Sequence, residues 1–292
     1  MIKEYMMGWD NAMIRLIAAD LDDTLLDADS DLTPHTLTAL RAAMATGCGV
    51  ALSSGRMLEA MLPFARRIGV NAPMLLYNGA MLYDHNAEST LWAARIPWKT
   101  ALGIARLAER MGLYIQLYPG KGYYCSEVTA HTAAYARQIH VEATPVHMPM
   151  SAWLERNRAD MQKMLIIDTP EGADVAQAAL REAFGTGASF LKSKAHYVEI
   201  APLGVDKGRS LARLAELLGL SADEVMAFGD GQNDVPMLQY ARFGYAMANA
   251  CPQALACTAH VAPPNTDDGV ARVIEEHLAR GQIGPMRAGK HQ

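Results

Sequence analysis

The stretch IRLIAADLDDTLLD, Ile14 to Asp27, decides how the rest of the chain is read. Its largely apolar run from Ile14 to Ala19 has the composition of a fully buried central strand, and the run stops abruptly among four acids. In open α/β sheets ligands bind at the carboxyl ends of the strands, so Asp20 stands where chemistry is usually done. A carboxylate there can act as a nucleophile. The Asp-x-Asp spacing sends Asp20 and Asp22 the same way off an extended chain, which lets one attack while the other handles a proton or helps hold a metal. The bland alternative is that Asp22, Asp23 and Asp27 serve as turn and cap residues.

Working outward, Leu32 to Gly47 reads as a crossover helix with Thr33 as N-cap, Pro34 at the first helical position and Gly47 past its end. Gly49 to Ser53 is a second short strand. Ser54-Gly55-Arg56 then turns into an amphipathic helix running to about Ile68. Met74 to Tyr77 gives a third strand closed by Asn78-Gly79. Strand and helix alternate as in a parallel doubly wound sheet, a Rossmann-like α/β core. After Tyr83 the texture changes. Apparent β segments (Leu113 to Tyr118 and Tyr123 to Ser126, a hairpin across Pro119 to Gly122, then Lys163 to Asp168) mix with helical ones (Thr100 to Met111, Ala173 to Phe184). An inserted α+β module over 84–194 follows, between core segments 13–83 and 195–280. The aromatics of the insert, Trp98 and Tyr123 among them, are read first as packing, with a pocket-lining role as the alternative. Residues 1–12 and 281–292 read as flexible tails, and Met13 is a candidate start.

In the resumed core Tyr197 to Ala201 is strand-like, and Val205-Asp206-Lys207-Gly208 opens a helix to about Leu218. Lys207 falls in the first turn, where the helix dipole repels a cation by a few tenths up to ~1 kcal/mol. A lysine placed there wants an anion. Val225 to Phe228 is another strand, running into Gly229-Asp230-Gly231-Gln232-Asn233-Asp234. This opens like a dinucleotide fingerprint, but an acid at the sixth position repels a pyrophosphate and excludes a nicotinamide or flavin site.

Composition sets the outer limits. The 292 residues are 51% hydrophobic and 20% charged, enough for a substantial core in one large domain or two. A net charge of −5 does not advertise a nucleic-acid surface. The four cysteines form no C-x-x-C pair and suggest reduced thiols. No apolar run has membrane-spanning length and no signal-peptide h-region precedes the first strand, so the cytoplasm is the expected location.

If the sheet gathers Asp20, Asp22, Asp230 and Asp234, each pair ~4 Å apart repels by about 4 kcal/mol at an effective dielectric near 20. One lysine does not neutralise that. Hard oxygen ligands without clustered His or Cys suit Mg²⁺ together with a substrate phosphate. An Asp nucleophile, Mg²⁺, a lysine and a hydroxyl-bearing loop suit phosphoryl transfer, with the phosphoryl group resting on Ser54 and the backbone beside it, Gly55 included.

The four stretches DLDDTLLD, SSGR, GVDKG and GDGQNDVPML, in that order, resemble the four motifs of the haloacid dehalogenase superfamily. The long insert is similar to the type IIB cap of Cof-type sugar-phosphate phosphatases, and the likeness extends to Tyr77-Asn78-Gly79-Ala80 and to Asn265 to Ala271. The resemblance implies that Asp20 forms an aspartyl-phosphate and that Asp22 protonates the leaving group and then activates water. It implies that Ser54 and Lys207 hold the phosphoryl group. Asp20, the backbone carbonyl of Asp22, and Asp230 would bind Mg²⁺, with Asn78, Asn233 and Asp234 in support. Asp23 stands where many relatives have Gly, and Ser54 where many have Thr. The expected activity is Mg²⁺-dependent hydrolysis of small phosphorylated metabolites, sugar phosphates foremost, by a monomer or weak dimer without nucleic-acid or membrane partners. A sugar-phosphate phosphomutase is the alternative, and a non-enzymatic phospho-acceptor switch a more distant one.

Overall fold

The computed structural model describes residues 12–120, 122–192 and 195–286. In chain order the strands are β1 (Leu16–Asp20), β2 (Gly49–Ser53), β3 (Met74–Leu76), β4 (Met81–Asp84), β5 (Ser89–Ala93), β6 (Ile115–Tyr118), β7 (Tyr124–Cys125), β8 (Thr144–Pro145), β9 (Lys163–Ile167), β10 (Ser189–Leu191), β11 (Tyr197–Ala201), β12 (Val225–Gly229), β13 (Phe243–Met247) and β14 (His260–Ala262). They form two sheets, one of order β14-β13-β12-β1-β2-β3-β4-β5 and one of order β10-β11-β9-β6-β7-β8.

The chain divides into two compact units. One carries the chain up to Ser54, Phe64–Leu91 and everything from Asp206 on; the other comprises Gly55–Pro63 and Trp92–Val205. In the first unit β1 is buried along its whole length and pairs in parallel with β12 on one side and β2 on the other. A strand covered on both faces and paired on both edges has to be apolar throughout, as Leu16 to Ala19 are. The crossover helix forms as expected, Pro34–Ala45, with the Thr33 hydroxyl accepting from the Thr36 amide at 3.0 Å. Gly47 (φ +88) ends it in the left-handed region that glycine enters at no steric cost.

The second unit is built on an antiparallel sheet. Met164, Ile166, Val198 and Ile200 face a helical layer containing Ile104, Leu154 and Leu180. Because strand side chains alternate, Lys163, Tyr118 and Glu199 lie on the opposite face. The hairpin expected around Pro119 is present, with Leu117 opposite Tyr124. Tyr123 is fully buried and stacks on Tyr118 at 5.2 Å between ring centroids, so it is a packing residue.

The expected parallel core is present in the first sheet, since β14, β13, β12, β1, β2 and β3 pair in parallel, and β4 extends it antiparallel to β3. Two expectations are corrected. The chain leaves that sheet only after β5, not at Tyr83; β5 is a half-exposed edge strand whose sequence lacks the apolar run of a central one. Tyr197–Ala201 does not belong to the resumed core: β11 pairs with β9 and β10 in the second sheet, because alternation reveals a strand but not its partner. Of the expected tails, residues 1–11 and 287–292 lie outside the described residues. Residues 282–286 are held in place, with the Ile14 amide donating to the Gln282 carbonyl and the Met286 amide to the Gly47 carbonyl. Among the described residues no helix is long and apolar enough to cross a membrane.

Candidate active site

The carboxyl ends of β1 and β12 lie side by side, and each ends in an acid: Asp20 closes β1, and Asp230 follows Gly229. The turn Gln232–Asp234 brings Asp234 back to the same point. Gly229 makes this possible, since a Cβ there would sit 2.4 Å from the Cβ of Asp234. The Asp234 carboxylate accepts from the amides of Asp230 (3.0 Å) and Gly231 (2.8 Å) through one oxygen. Through its other oxygen it accepts from Lys207 at 2.5 Å.

Lys207 is the first residue of the helix Lys207–Leu217, capped by Asp206. Its ammonium is buried and bridges Asp234 and Asp20, the latter at 2.6 Å. The dipole penalty that made this lysine conspicuous is outweighed by two contacting carboxylates, which hold its pKa above the ordinary value despite burial. Asp20 is nearly inaccessible. Burial first, then the charge of Asp234, drives its pKa well above the usual carboxylate range, against the opposing pull of Lys207. Asp230 is pushed up to about 7, by burial and then by Asp234. Its Oδ1 accepts from the Thr24 hydroxyl at 2.8 Å.

Ligand oxygens of Asp20, Asp230 and Asp234 all lie within 4.8 Å of one another. Three carboxylates around a single ammonium leave a surplus of negative charge that proteins normally relieve by protonation or by a cation. The donor set is hard oxygen only, so the residues present fit a hard divalent cation. With Asp234 committed to Lys207 and two amides, Asp20 and Asp230 are the carboxylates with capacity left.

Asp22 lies in a turn, not on a straight extension of β1. The chain does not continue straight from Asp20 to Asp22 but enters a wide turn, Leu21–Leu25, in which Asp22 is extended and Asp23 left-handed (φ 56). The Asp22 carboxylate is therefore not one of the three clustered around the cation position, although its charge is close enough to raise the pKa of Asp20. The left-handed conformation also gives physical meaning to position 23, because Asp is among the few non-glycine residues that tolerate it.

Ser54 is buried at the end of β2, one residue beyond the Ser53 that stands opposite Asp20. Its carbonyl accepts from the Asn78 amide at 3.0 Å, and the Asn78 side-chain oxygen accepts from the Asn233 amide group at 2.9 Å. Ser54, Asn78 and Asn233 thus form one connected wall. Gly55, next in the chain, belongs to the second unit. Thr24, Asn249 and Asn265 also take part and were given no role from sequence; their contacts join positions more than two hundred residues apart, and only the stretches DLDDT and Asn265 to Ala271, in which Thr24 and Asn265 lie, pointed towards them.

Comparison with known proteins agrees with this construction. The haloacid dehalogenase-like hydrolase family matches residues 17–274, and the chain belongs to that family. Its enzyme class is phosphoric monoester hydrolase. The chain is 30% identical over 271 residues to the pyridoxal phosphate phosphatase of Escherichia coli, covering 90% of this chain and 98% of that one. It is 27% identical over 246 residues to an HMP-PP phosphatase of Yersinia pestis, covering 82% and 86%. A crystal structure from Thermotoga maritima superposes with a TM-score of 0.82 at 29% identity, covering 90% of this chain and 97% of that one. A haloacid dehalogenase-like hydrolase from Bacteroides thetaiotaomicron gives 0.83 at 24% identity, covering 90% and 99%, a likeness of fold.

Proposed function

We propose that this enzyme hydrolyses small phosphorylated metabolites, sugar phosphates foremost, in a Mg²⁺-dependent reaction that passes through an aspartyl-phosphate on Asp20. The observation that carries the reading is the set Asp20, Asp230 and Asp234 around one buried ammonium. An Asp20 oxygen attacks phosphorus and the bond to the leaving oxygen breaks. Asp22 supplies a proton to that oxygen, then accepts one from the water that attacks the aspartyl-phosphate, releasing phosphate and restoring Asp20. Ser54, with the Gly55 that follows it, and Lys207 hold the phosphoryl oxygens. Mg²⁺ held by Asp20, Asp230 and the Asp22 carbonyl would neutralise charge on the transferring group. Asn78, Asn233 and Asp234 keep these groups in place.

The E. coli relative favours a second substrate, pyridoxal phosphate, on the same machinery. A panel of sugar phosphates, pyridoxal phosphate and an aryl phosphate, assayed with Mg²⁺ and again with EDTA, tests both points. Mg²⁺-dependent phosphate release is expected, abolished by chelation. Full turnover in the chelated enzyme would overturn the metal assignment, and isomerised sugar phosphate in place of free phosphate would favour the mutase.

A further inference from the structure

The turn that carries Asp22 is held from outside by two asparagines that the mechanism has not used. Asn249 lies two residues beyond β13, and Asn265 opens the turn Asn265–Asp267 after β14. Both reach past the end of β12, which stands between β1 and β13 in the sheet. The Asn249 side-chain NH₂ donates to the carbonyl of Asp23 at 2.8 Å, and that of Asn265 donates to the carbonyl of Leu26 at 2.7 Å. The two are joined, since the Asn265 amide donates to the Asn249 side-chain oxygen at 3.1 Å. Every partner is a main-chain group of one fixed polarity, so the orientation of both side-chain amides is determined by the network.

The turn needs such support. Asp23 is left-handed, a conformation that costs a non-glycine residue of order 1 kcal/mol unless its surroundings hold it. From within, the turn is closed by the Leu26 amide donating to the Leu21 carbonyl. Asn249 is exposed, so its two hydrogen bonds contribute little to burial of the core. One of them, with the Asn265 bond to Leu26, fixes the carbonyls of Asp23 and Leu26, the stretch of the turn that directly follows Asp22. We propose that Asn249 and Asn265 are positioning residues that aim Asp22 at the leaving oxygen and at the attacking water. The inference rests on the assignment of Asp22 as general acid and base.

The test is a series of substituted phenyl phosphates of similar size and graded leaving-group acidity, run on wild type, Asn249→Ala, Asn265→Ala and Asp22→Asn with Mg²⁺ supplied. Poor leaving groups need the proton from Asp22 and good ones do not. The asparagine variants should therefore lose roughly 10-fold in kcat/KM, which reports formation of the phosphoryl-enzyme, on the poorest leaving group and only about 2-fold on 4-nitrophenyl phosphate, a small share of the 10²–10⁴-fold of general acid–base catalysis. Breakdown of the phosphoryl-enzyme should slow with every substrate, so acid quench should trap more of it than in wild type. A uniform loss across the series, or no loss, in both asparagine variants while Asp22→Asn keeps its leaving-group dependence would overturn the positioning role and leave Asp22 in place. If Asp22→Asn itself lacks leaving-group dependence, both assignments fall.

Discussion

Each compact unit buries one lysine among its described residues, and the two are neutralised differently. Lys163 projects from the polar face of the second sheet and pairs with Glu199 at 3.2 Å, one charge against one. Burial alone would lower its pKa, but Glu199 and the neighbouring Tyr135 more than compensate, and its pKa lies above the ordinary value. Lys207 sits at the end of the first sheet among Asp20, Asp234 and Asp230, one charge against three. The unbalanced cluster holds Asp20 and Asp230 well away from their ordinary ionisation, and it calls for a cation and an anionic substrate. Surplus charge, not buried charge, separates a reactive centre from a structural ion pair.

The largest expected effect tests the unbalanced side. Asp20→Asn should remove nearly all turnover, by roughly 10⁴-fold or more, and leave no acid-trappable phosphoryl group on the peptide containing residue 20. Lys207→Met should cost roughly 10²–10³-fold, as loss of one preorganised charge at a transferring group usually does. An Asp20→Asn enzyme that still turns over, or a phosphoryl group found on Ser54, would break the comparison at its root.

The balanced side should behave as a pair. Lys163→Met removes the buried ammonium that faces Glu199 and should lower thermal stability by about 3–5 kcal/mol, a Tm drop of roughly 10 °C. Lys163→Met combined with Glu199→Leu should recover most of that loss, because two apolar side chains replace a neutral pair. Thermal melts of the two variants decide it. If the double variant melts no higher than the single one, the ion pair is not self-contained and Lys163 has further business.

The smallest effect concerns an exposed ion pair. His35, in the first turn of its helix, faces Asp268 at 3.1 Å and Glu275 at 2.9 Å, and Asp268 also accepts from the Thr33 hydroxyl at 2.5 Å. The hydrogen bond to Glu275, then that to Asp268, raises the His35 pKa above 6.5. The Thr33 hydroxyl first, and also His35, lowers that of Asp268 below 3.8. A raised histidine stabilises the fold fully below its unfolded pKa and ceases to do so as pH rises through the folded value. A lowered aspartate stabilises above its unfolded pKa and ceases as pH falls through the folded value. The contribution is therefore greatest between 3.8 and 6.5. His35→Gln should lower Tm by roughly 1–2 °C at pH 5.5, since exposed pairs contribute little, and leave it unchanged at pH 9. An equal drop at both pH values would mean that shape, not charge, holds this contact.

Much of the chemistry was legible in the chain itself. Leu16 to Ala19 read as a strand covered on both faces, and a strand of that kind ending in Asp20 marks the reactive edge of a sheet. Thr33-Pro34 starts a helix by local hydrogen bonding, and a lysine in a helix's first turn signals an anion nearby because the dipole opposes it. These are short-range effects, acting within a turn or along one strand, so residue order alone determined them. Tertiary structure decided what depends on partners. It placed Tyr197–Ala201 in the second sheet, since alternation fixes a strand's faces and leaves its neighbours open. It bent the chain after Asp20, so that the carboxylate clustered with Asp20 and Asp230 is that of Asp234, and Asp22 is carried by the turn that follows β1. It also brought Asn249 and Asn265 across more than two hundred residues to clasp that turn. A hydrogen bond between groups so far apart in sequence exists only after the sheet has formed, and no local rule in the sequence encodes it.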